Sequence, residues 1–355
     1  MTNCKTKTLN FANQVFYIGI DTHKTNWKVS IRTNQLLLKE FSMDPVPEKL
    51  YEYMHRNYPG GSYQSTYEAG FCGFWIHREL TQIGFKNIVI NPADVPTTHK
   101  EKDRKCDSID SGKLARELEN HSLEGIFIPN PQQEAVRSLA HMWEQYSQRG
   151  AQVKNRIKSL LHFTGVPLPE EYEKSDWSNN YMTMISRLHF EEKINRELLD
   201  IHIDELKSIR TKRKLLLDKI RAFSRGNLTI KMLRTVPGIG KIVAFFLYAE
   251  LVDIRRFKGL DDLLSFIGLV PSTASSDDKE IVRGLSNRHN KHLRYLLVEA
   301  AWIAARKDPA MTAVYSELTK RLKKQKAILR IAKKLVNRIR FVWLHQKPYI
   351  PAVVA

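Results

Sequence analysis

Cysteine is nearly absent: Cys4, Cys72 and Cys106 are the only three in 355 residues. They show neither close pairing nor metal-ligand spacing, which excludes a disulfide-stapled scaffold and a zinc ribbon and fits free thiols in a reducing compartment. No run approaches the 18 apolar residues needed to span a bilayer, and residues 1–30 lack a basic, apolar, small-residue leader. A soluble cytoplasmic protein with no membrane partner is therefore expected. Long low-complexity tracts and collagen-like glycine periods are also missing. With 42% hydrophobic residues, the chain has enough apolar material for real cores in two or three domains. Acid is the other scarcity. Between residues 318 and 347 there is none at all, against eleven Lys and Arg.

That gap locates the charge. The chain carries 57 Lys and Arg against 38 Asp and Glu, a formal +19. Residues 206–234 hold ten basic residues and one acid, so this stretch contributes +9 and residues 318–347 contribute +11. The rest of the chain sums to −1. A merely solvated surface spreads its charge, whereas charge confined to two helical-looking segments points to a polyanion, most simply nucleic acid. Binding through such side chains releases counterions and is strongly salt-sensitive.

Residues 15–21, 27–33 and 36–41 read as three short strands separated by turn-sized gaps. Helical character at 46–56 follows, then a strand at 63–68, a helix at 71–83, a strand at 87–90 and a helix at 107–118. Three meandering strands followed by alternating helices and strands is the element order of a ribonuclease-H-like domain. A long helix is expected over 132–163 and another over 191–224, with a polar, loop-like interval between them. Leu206, Ile209, Leu216, Ile220 and Phe223 recur at coiled-coil spacings, which reads as a core or dimer seam. Beyond Arg225-Gly226-Asn227 the pattern is a compact helical domain, with helices at 241–252, 259–266, 291–306, 312–318 and 325–344 and an extended tail. The expected domains are 13–130, 131–227 and 228–346, with a tail at 347–355.

Four acids stand out in the first domain. Asp21 ends a strand in GIDTHK and Glu68 ends another in TYEAG, while Asp107 and Asp110 open a helix. The i, i+3 pair shares one helical face and also suits a helix N-terminus, so for that pair alone capping and metal binding are equally good readings. Strand ends and a helix start can meet at one sheet edge, and four carboxylates are hard ligands for Mg²⁺ or Mn²⁺ in phosphoryl transfer. Lys24 and Lys105 flank the acids and either steer a phosphate or are merely solvated.

In the last domain, LRTVPGIGK places Gly238, Gly240 and Lys241 in a turn between helices. Such a turn either exposes backbone N–H groups to a phosphate, as helix-hairpin-helix elements do, or is only a bend. Further on, Pro271 opens a polar loop with Ser272, Ser275 and Ser276, followed by Arg283, Arg288 and Arg294. Serine-rich loops are usually just loops, and no Ser/His/Asp arrangement can be read here. A serine attacking DNA can instead rely on a metal-bound water for proton transfer and on arginines for transition-state charge.

GIDTHK, TYEAG, the D-x-x-D-x-x-x-LA run from Asp107, and then PGIG, GLVPS, the serine pair, R-G and N-x-x-LR in that order resemble one group of proteins. These are the DEDD transposases of the IS-one-ten insertion-sequence family, bridge-RNA-guided serine recombinases, and the resemblance runs over nearly the whole chain. It implies a RuvC-like N-terminal domain, a coiled-coil middle and a helical C-terminal transposase domain. It also implies that Asp21, Glu68, Asp107 and Asp110 bind Mg²⁺ and that Ser276 attacks a DNA phosphate to form a phosphoserine linkage. The implied partners are double-stranded donor and target DNA, a noncoding bridge RNA that pairs with both, and further copies of the chain in a tetramer. The implied setting is the prokaryotic cytoplasm, on the nucleoid. Asp277 replaces the family glycine after the serine, which leaves Ser275 as the alternative nucleophile. Cys106, Ser111 and His289 also depart from the family pattern without removing a catalytic group. Two other readings compete. One is a hydrolytic RuvC-like nuclease or resolvase with a structural serine loop, and the other is a non-catalytic nucleic-acid-binding protein.

Overall fold

In a computed structural model of the chain, residues 10–96, 107–167, 177–276, 279–285 and 289–351 are described, with backbone alone at 107–109, 272–276 and 279–285. They form two compact units, divided between Ile128 and Pro129.

The first unit is built on a five-stranded sheet. Its strands are β1 (Val15–Thr22), β2 (Trp27–Thr33), β3 (Leu36–Met43), β4 (Ser62–Glu68) and β5 (Lys86–Ile90), in the order β3-β2-β1-β4-β5. The β1–β2 and β2–β3 pairs are antiparallel, whereas β4 joins β1, and β5 joins β4, in parallel. This mixed α/β arrangement is consistent with a RuvC-like, ribonuclease-H-like domain. Alternation decides the faces. Phe16, Ile18 and Ile20 are fully buried and share one core with Leu50 and Met54 of α1 (Pro47–Asn57) and Ile76 and Leu80 of α2 (Trp75–Gln82). The opposite face of β1 carries Tyr17, Gly19 and Asp21, and it meets α3 (Asp107–Glu119).

Gly19 lets that helix lie on the sheet. A Cβ at this position would fall 2.1 Å from the Ser111 carbonyl oxygen and 2.5 Å from the Ala115 nitrogen, so only glycine allows the approach. Beside it, Ser30 Oγ and Ser111 Oγ are 2.9 Å apart, and at the far end Arg32 Nε donates to Glu119 Oε2 at 2.9 Å. Since Ser30 pairs with Gly19 and Arg32 with Tyr17, α3 runs opposite to β1. Its N-terminal turn therefore lies toward the Asp21 end.

Among the described residues, the second unit is helical apart from one hairpin. Its first long helix, α4 (Pro131–Phe163), starts where Asn130 and Gln133 form a reciprocal capping box with proline in the first turn. The polar interval expected after it contains a further helix, α5 (Asn179–Ile185), which begins at a Ser178 cap and buries Tyr181, Met182 and Ile185. Ser178-Asn179-Asn180 reads as loop chemistry; here Ser178 serves as an N-cap instead.

The second long helix, α6 (Lys193–Gly226), packs its apolar stripe within the chain. Leu206 and Ile209 join Val153, Ile157 and Leu161 of α4, and Ile220 joins Val136 and Ala140. The coiled-coil-like spacing thus serves an intramolecular core. That core continues through α7 (Leu228–Leu233), α8 (Lys241–Leu251), α9 (Leu260–Ile267), α10 (Lys291–Lys307), α11 (Pro309–Thr319) and α12 (Lys324–His345).

Between α9 and α10, residues expected to form a polar loop instead make an antiparallel hairpin, β6 (Pro271–Ser276) with β7 (Lys279–Leu285). Small hydroxyl residues carry little hydrophobic alternation, so this ladder is invisible to a pattern search. Among the described residues, no helix is long and apolar enough to cross a membrane.

Candidate functional site

The acids of the first unit are placed by backbone regularity. In the parallel register Ile20 pairs with Tyr67, so Asp21 and Glu68 are the next residues on neighbouring strands. They share the sheet's C-terminal end and the face on which α3 lies. Asp107 is the first residue of α3, and Asp110 is half-buried one turn later. Asp21 is partly exposed, with His23 Nε2 at 3.1 Å from its Oδ2. Lys24 is exposed in the β1–β2 turn beside Asp21; Lys105 lies outside the described residues.

Hard carboxylate oxygens, half-exposed at strand ends, match the donor chemistry of a divalent cation that keeps several waters. Among the described residues, no three His, Cys, Asp or Glu side chains close into an ion-holding cluster. The Asp107 carboxylate is outside the described set.

In the second unit Ser276 is the last residue of β6, paired with Lys279 across the hairpin tip, and Ser275 pairs with Glu280. Ser272 lies near the other end of the same strand, and Arg283 is on β7. Asp277 and Arg288 fall outside the described residues. Arg294, on the first turn of α10, turns back to donate from Nη1 to the Gly268 carbonyl at 3.3 Å, so it braces the base of the hairpin.

The two glycines of the PGIG turn have different surroundings. Gly238 has φ +90°, and a Cβ there would lie 2.3 Å from the Ala300 carbonyl oxygen, so this glycine seats the turn against α10. Gly240 is open, with nothing within 4 Å of its Cβ position, and it leads into Lys241 at the exposed start of α8. Gly240 and Lys241 are therefore the accessible half of the turn.

Comparison with known proteins supplies the deciding observation. A DEDD transposase family model named for IS110 matches residues 18–165, covering all four acids, and a model described as the transposase IS116/IS110/IS902 family matches residues 230–316, covering the PGIG turn and the serines. The chain belongs to the IS110 family of transposases.

Among its relatives, the putative transposase y4rJ of Sinorhizobium fredii is 29% identical over 76% of this chain and 74% of that protein. The putative transposase y4qE of the same organism is 25% identical over 66% of this chain, and the match spans 57% of that protein's length. The transposase for insertion sequence element IS1533 of Leptospira borgpetersenii is 23% identical over 90% of this chain and 96% of its own. As an IS110-family transposase the chain is a DNA-processing enzyme, and its DEDD domain implies use of a divalent metal.

In this transposase the serine hairpin stands on a buried polar network that sequence reading missed. Glu250, 4% exposed on α8, accepts from His141 Nε2 at 2.6 Å, Asn290 Nδ2 at 2.9 Å and Arg137 Nη2 at 3.5 Å. Asn290 also caps α10 through the Leu293 amide, and its own N–H donates to the Phe266 carbonyl at 3.2 Å. One residue thus joins the two feet of the hairpin to the buried acid.

Burial pushes the Glu250 carboxyl up, but the His141 hydrogen bond and the Arg137 charge outweigh it and hold the group below the usual carboxylate range. The Glu250 hydrogen bond raises His141 in turn. Arg256, stacked on Phe257 and Phe266, is pushed down by burial to about 10. His292, 3.0 Å from Glu144, is lowered because its burial outweighs that carboxylate's pull. The available signal was Glu250 itself, a lone acid in the otherwise apolar run IVAFFLYAEL. Such an acid is buried only when paired.

Proposed function

We propose that this transposase excises and inserts its own mobile element by cutting and rejoining DNA through a phosphoserine intermediate. The observation that carries the reading is the common placement of Asp21 and Glu68 at one sheet end, on the face where α3 begins with Asp107 and Asp110. These four acids would hold Mg²⁺, or Mn²⁺, and a bound divalent ion supplies stabilisation of the charge that builds up on the scissile phosphate. Ser276 forms the new oxygen–phosphorus bond while the bond from phosphorus to one sugar oxygen breaks. The hydroxyl proton leaves to solvent and the released sugar oxygen takes one up. The ester conserves the energy of the cut bond for rejoining to a second strand. Lys24, Lys105, Gly238, Gly240, Lys241, Arg283, Arg288 and Arg294 are assigned to nucleic-acid contact, with Gly238 and Arg294 acting through the turn and the hairpin base they fix.

Residues 13–130 act as the acid-bearing domain, 131–227 as the helical connector and 228–346 as the serine-bearing domain. The family resemblance supports a bridge RNA that selects donor and target DNA by base pairing, with specificity residing in RNA–DNA complementarity. It also supports a tetramer in which acids and serine come from different protomers, working in the cytoplasm on the nucleoid.

The test is a denaturing gel of labelled donor DNA incubated with the full chain, a divalent metal and the element's flanking RNA. A covalent protein–DNA adduct is expected, and it disappears in Ser276→Ala. An adduct that survives this change but is lost in Ser275→Ala moves the nucleophile by one residue. Cut DNA with no attached protein in any variant replaces the phosphoserine reading with hydrolysis. Recombination that proceeds with the RNA omitted removes the guide.

A further inference from the structure

A second feature of the helical unit lies where α6 gives way to α7 and α8. Arg225-Gly226-Asn227 ends α6, and Asn227 caps α7 by accepting from the Ile230 amide at 3.0 Å. The chain turns there, so three consecutive helical segments present basic residues to one cavity of about 450 Å³. Arg221 and Arg225 come from one face of α6, Lys231 and Arg234 from α7 and its end, and Lys241 from the first position of α8. Ile220 supplies an apolar wall, and no carboxylate lines the cavity among the described residues. Asp218, on the same helix outside the cavity, pairs with Arg221 at 3.0 Å.

We propose that this pocket grips the sugar-phosphate backbone of a polynucleotide, seating two neighbouring phosphates. The inference deepens the nucleic-acid reading above and rests on it. Five like charges around one cavity repel one another, and an anion that fills the space relieves the repulsion and releases counterions. The start of α8 points the same way: it has no side-chain cap and no acid in its first turn, and Gly240 leaves the approach open. Its unsatisfied amides and positive dipole end favour phosphate oxygens.

The volume exceeds that of one phosphate and fits a nucleotide unit, with the methylene stems of the exposed Arg and Lys side chains against the sugar. Lys214, two turns before Arg221 on the same helix face and exposed, continues the basic track by about 10 Å. That continuation selects an extended polyanion over a small phosphorylated metabolite. Duplex DNA and guide RNA share the backbone chemistry, and the probes below separate them.

The experiment measures binding of a labelled 30-base-pair DNA duplex and a labelled 30-nucleotide RNA hairpin to the full chain in EDTA, between 50 and 200 mM salt. With no divalent ion there is no strand chemistry, so failure of the Ser276 mechanism leaves the readout unchanged. In the double variant Arg225→Gln, Lys231→Gln, loss of two phosphate contacts lowers the duplex salt slope by about 1.8 and shrinks the affinity drop across this range by roughly tenfold. A charge-matched control, Lys39→Gln with Lys86→Gln on exposed sheet residues, changes neither. The pair Arg221→Gln, Arg234→Gln repeats the measurement from the remaining lining residues.

Weakening of the duplex alone assigns the pocket to DNA, and weakening of the hairpin alone assigns it to RNA. Either result supports the proposal. Unchanged slopes for both probes, equal losses in the control, or inorganic pyrophosphate binding that is lost while both polynucleotides bind as before would overturn it.

Discussion

In the N-terminal unit the acids stand where regular backbone puts them, at the ends of two paired strands and the start of one helix. In the C-terminal unit the serine hairpin stands where side chains hold it, through Asn290 and Arg294 at its base and Glu250 beneath. The first arrangement needs only the sheet register and one glycine-sized gap at Gly19. The second needs a buried carboxylate to keep its partners. Backbone placement is robust because register slips turn a whole strand over. A buried network fails at once when one member is removed, because the others lose their compensation.

Removing that compensation has the largest expected effect. Glu250→Gln leaves Arg137 and His141 facing a neutral amide and should cost about 3 kcal/mol in urea unfolding of the full chain. Adduct formation should fall further than stability alone explains. If Asn290→Asp, which alters the same contact, reduces stability without changing the adduct yield, the network holds the core but not the hairpin.

The two close glycines come next. Gly238→Ala forces a Cβ into the Ala300 carbonyl at an unfavourable φ and should cost about 3 kcal/mol. Gly19→Ala meets the backbone of α3 without a φ penalty and should cost about 2 kcal/mol. Lifting α3 also moves Asp107 and Asp110 away from Asp21 and Glu68, so metal-dependent cutting should drop in Gly19→Ala even at temperatures where the chain is folded. Unimpaired cutting there would show that the sheet end works without the helix.

Tyr349 offers a smaller probe. Its hydroxyl donates to buried Asp308 at 2.5 Å, and its N–H donates to Thr235 Oγ1 at 2.7 Å, which pins the tail beside the PGIG turn. Burial first, and the Asp308 contact second, push its hydroxyl up to about 12. Tyr349→Phe should cost about 1.5 kcal/mol, since the lost bond was to a charged acceptor.

The smallest effect is a pH dependence of the second unit. His141 is raised in the folded chain, so its contribution is complete below an unfolded value of about 6.5 and is lost as pH rises through the folded value. His292 is lowered, so its contribution is complete above about 6.5 and declines as pH falls. Stability should therefore peak near pH 6.5, and His141→Gln should flatten the alkaline side only. Glu250, also lowered, adds a loss confined to acid below its ordinary carboxylate value.

Much of the first unit was legible in the sequence. The alternation of Phe16, Ile18 and Ile20 against Tyr17, Gly19 and Asp21 marks a strand and names its faces. Glu68 ends a run of the same kind. The long helices were legible too, because their apolar period persists over many turns. Three things were not. The hairpin of Ser272, Ser275 and Ser276 has no apolar period to betray it, and the helix after Ser178 is too short. The seam of Leu206, Ile209 and Ile220 has a pattern that fits a partner chain as well as it fits α4.

Sequence by itself determined the long helices and the strands of the first unit, the two basic segments, the four acids and the family pattern, since each is a local property of composition and spacing. Only the tertiary structure decided which residues meet. Glu250 and His141 are 109 positions apart, and their contact exists because α4, α8 and α10 close on a common core. The same packing gathers five cations around one cavity and commits Gly238 to α10 while leaving Gly240 open. Spacing cannot encode such meetings, because they depend on how separate helices stack against one another.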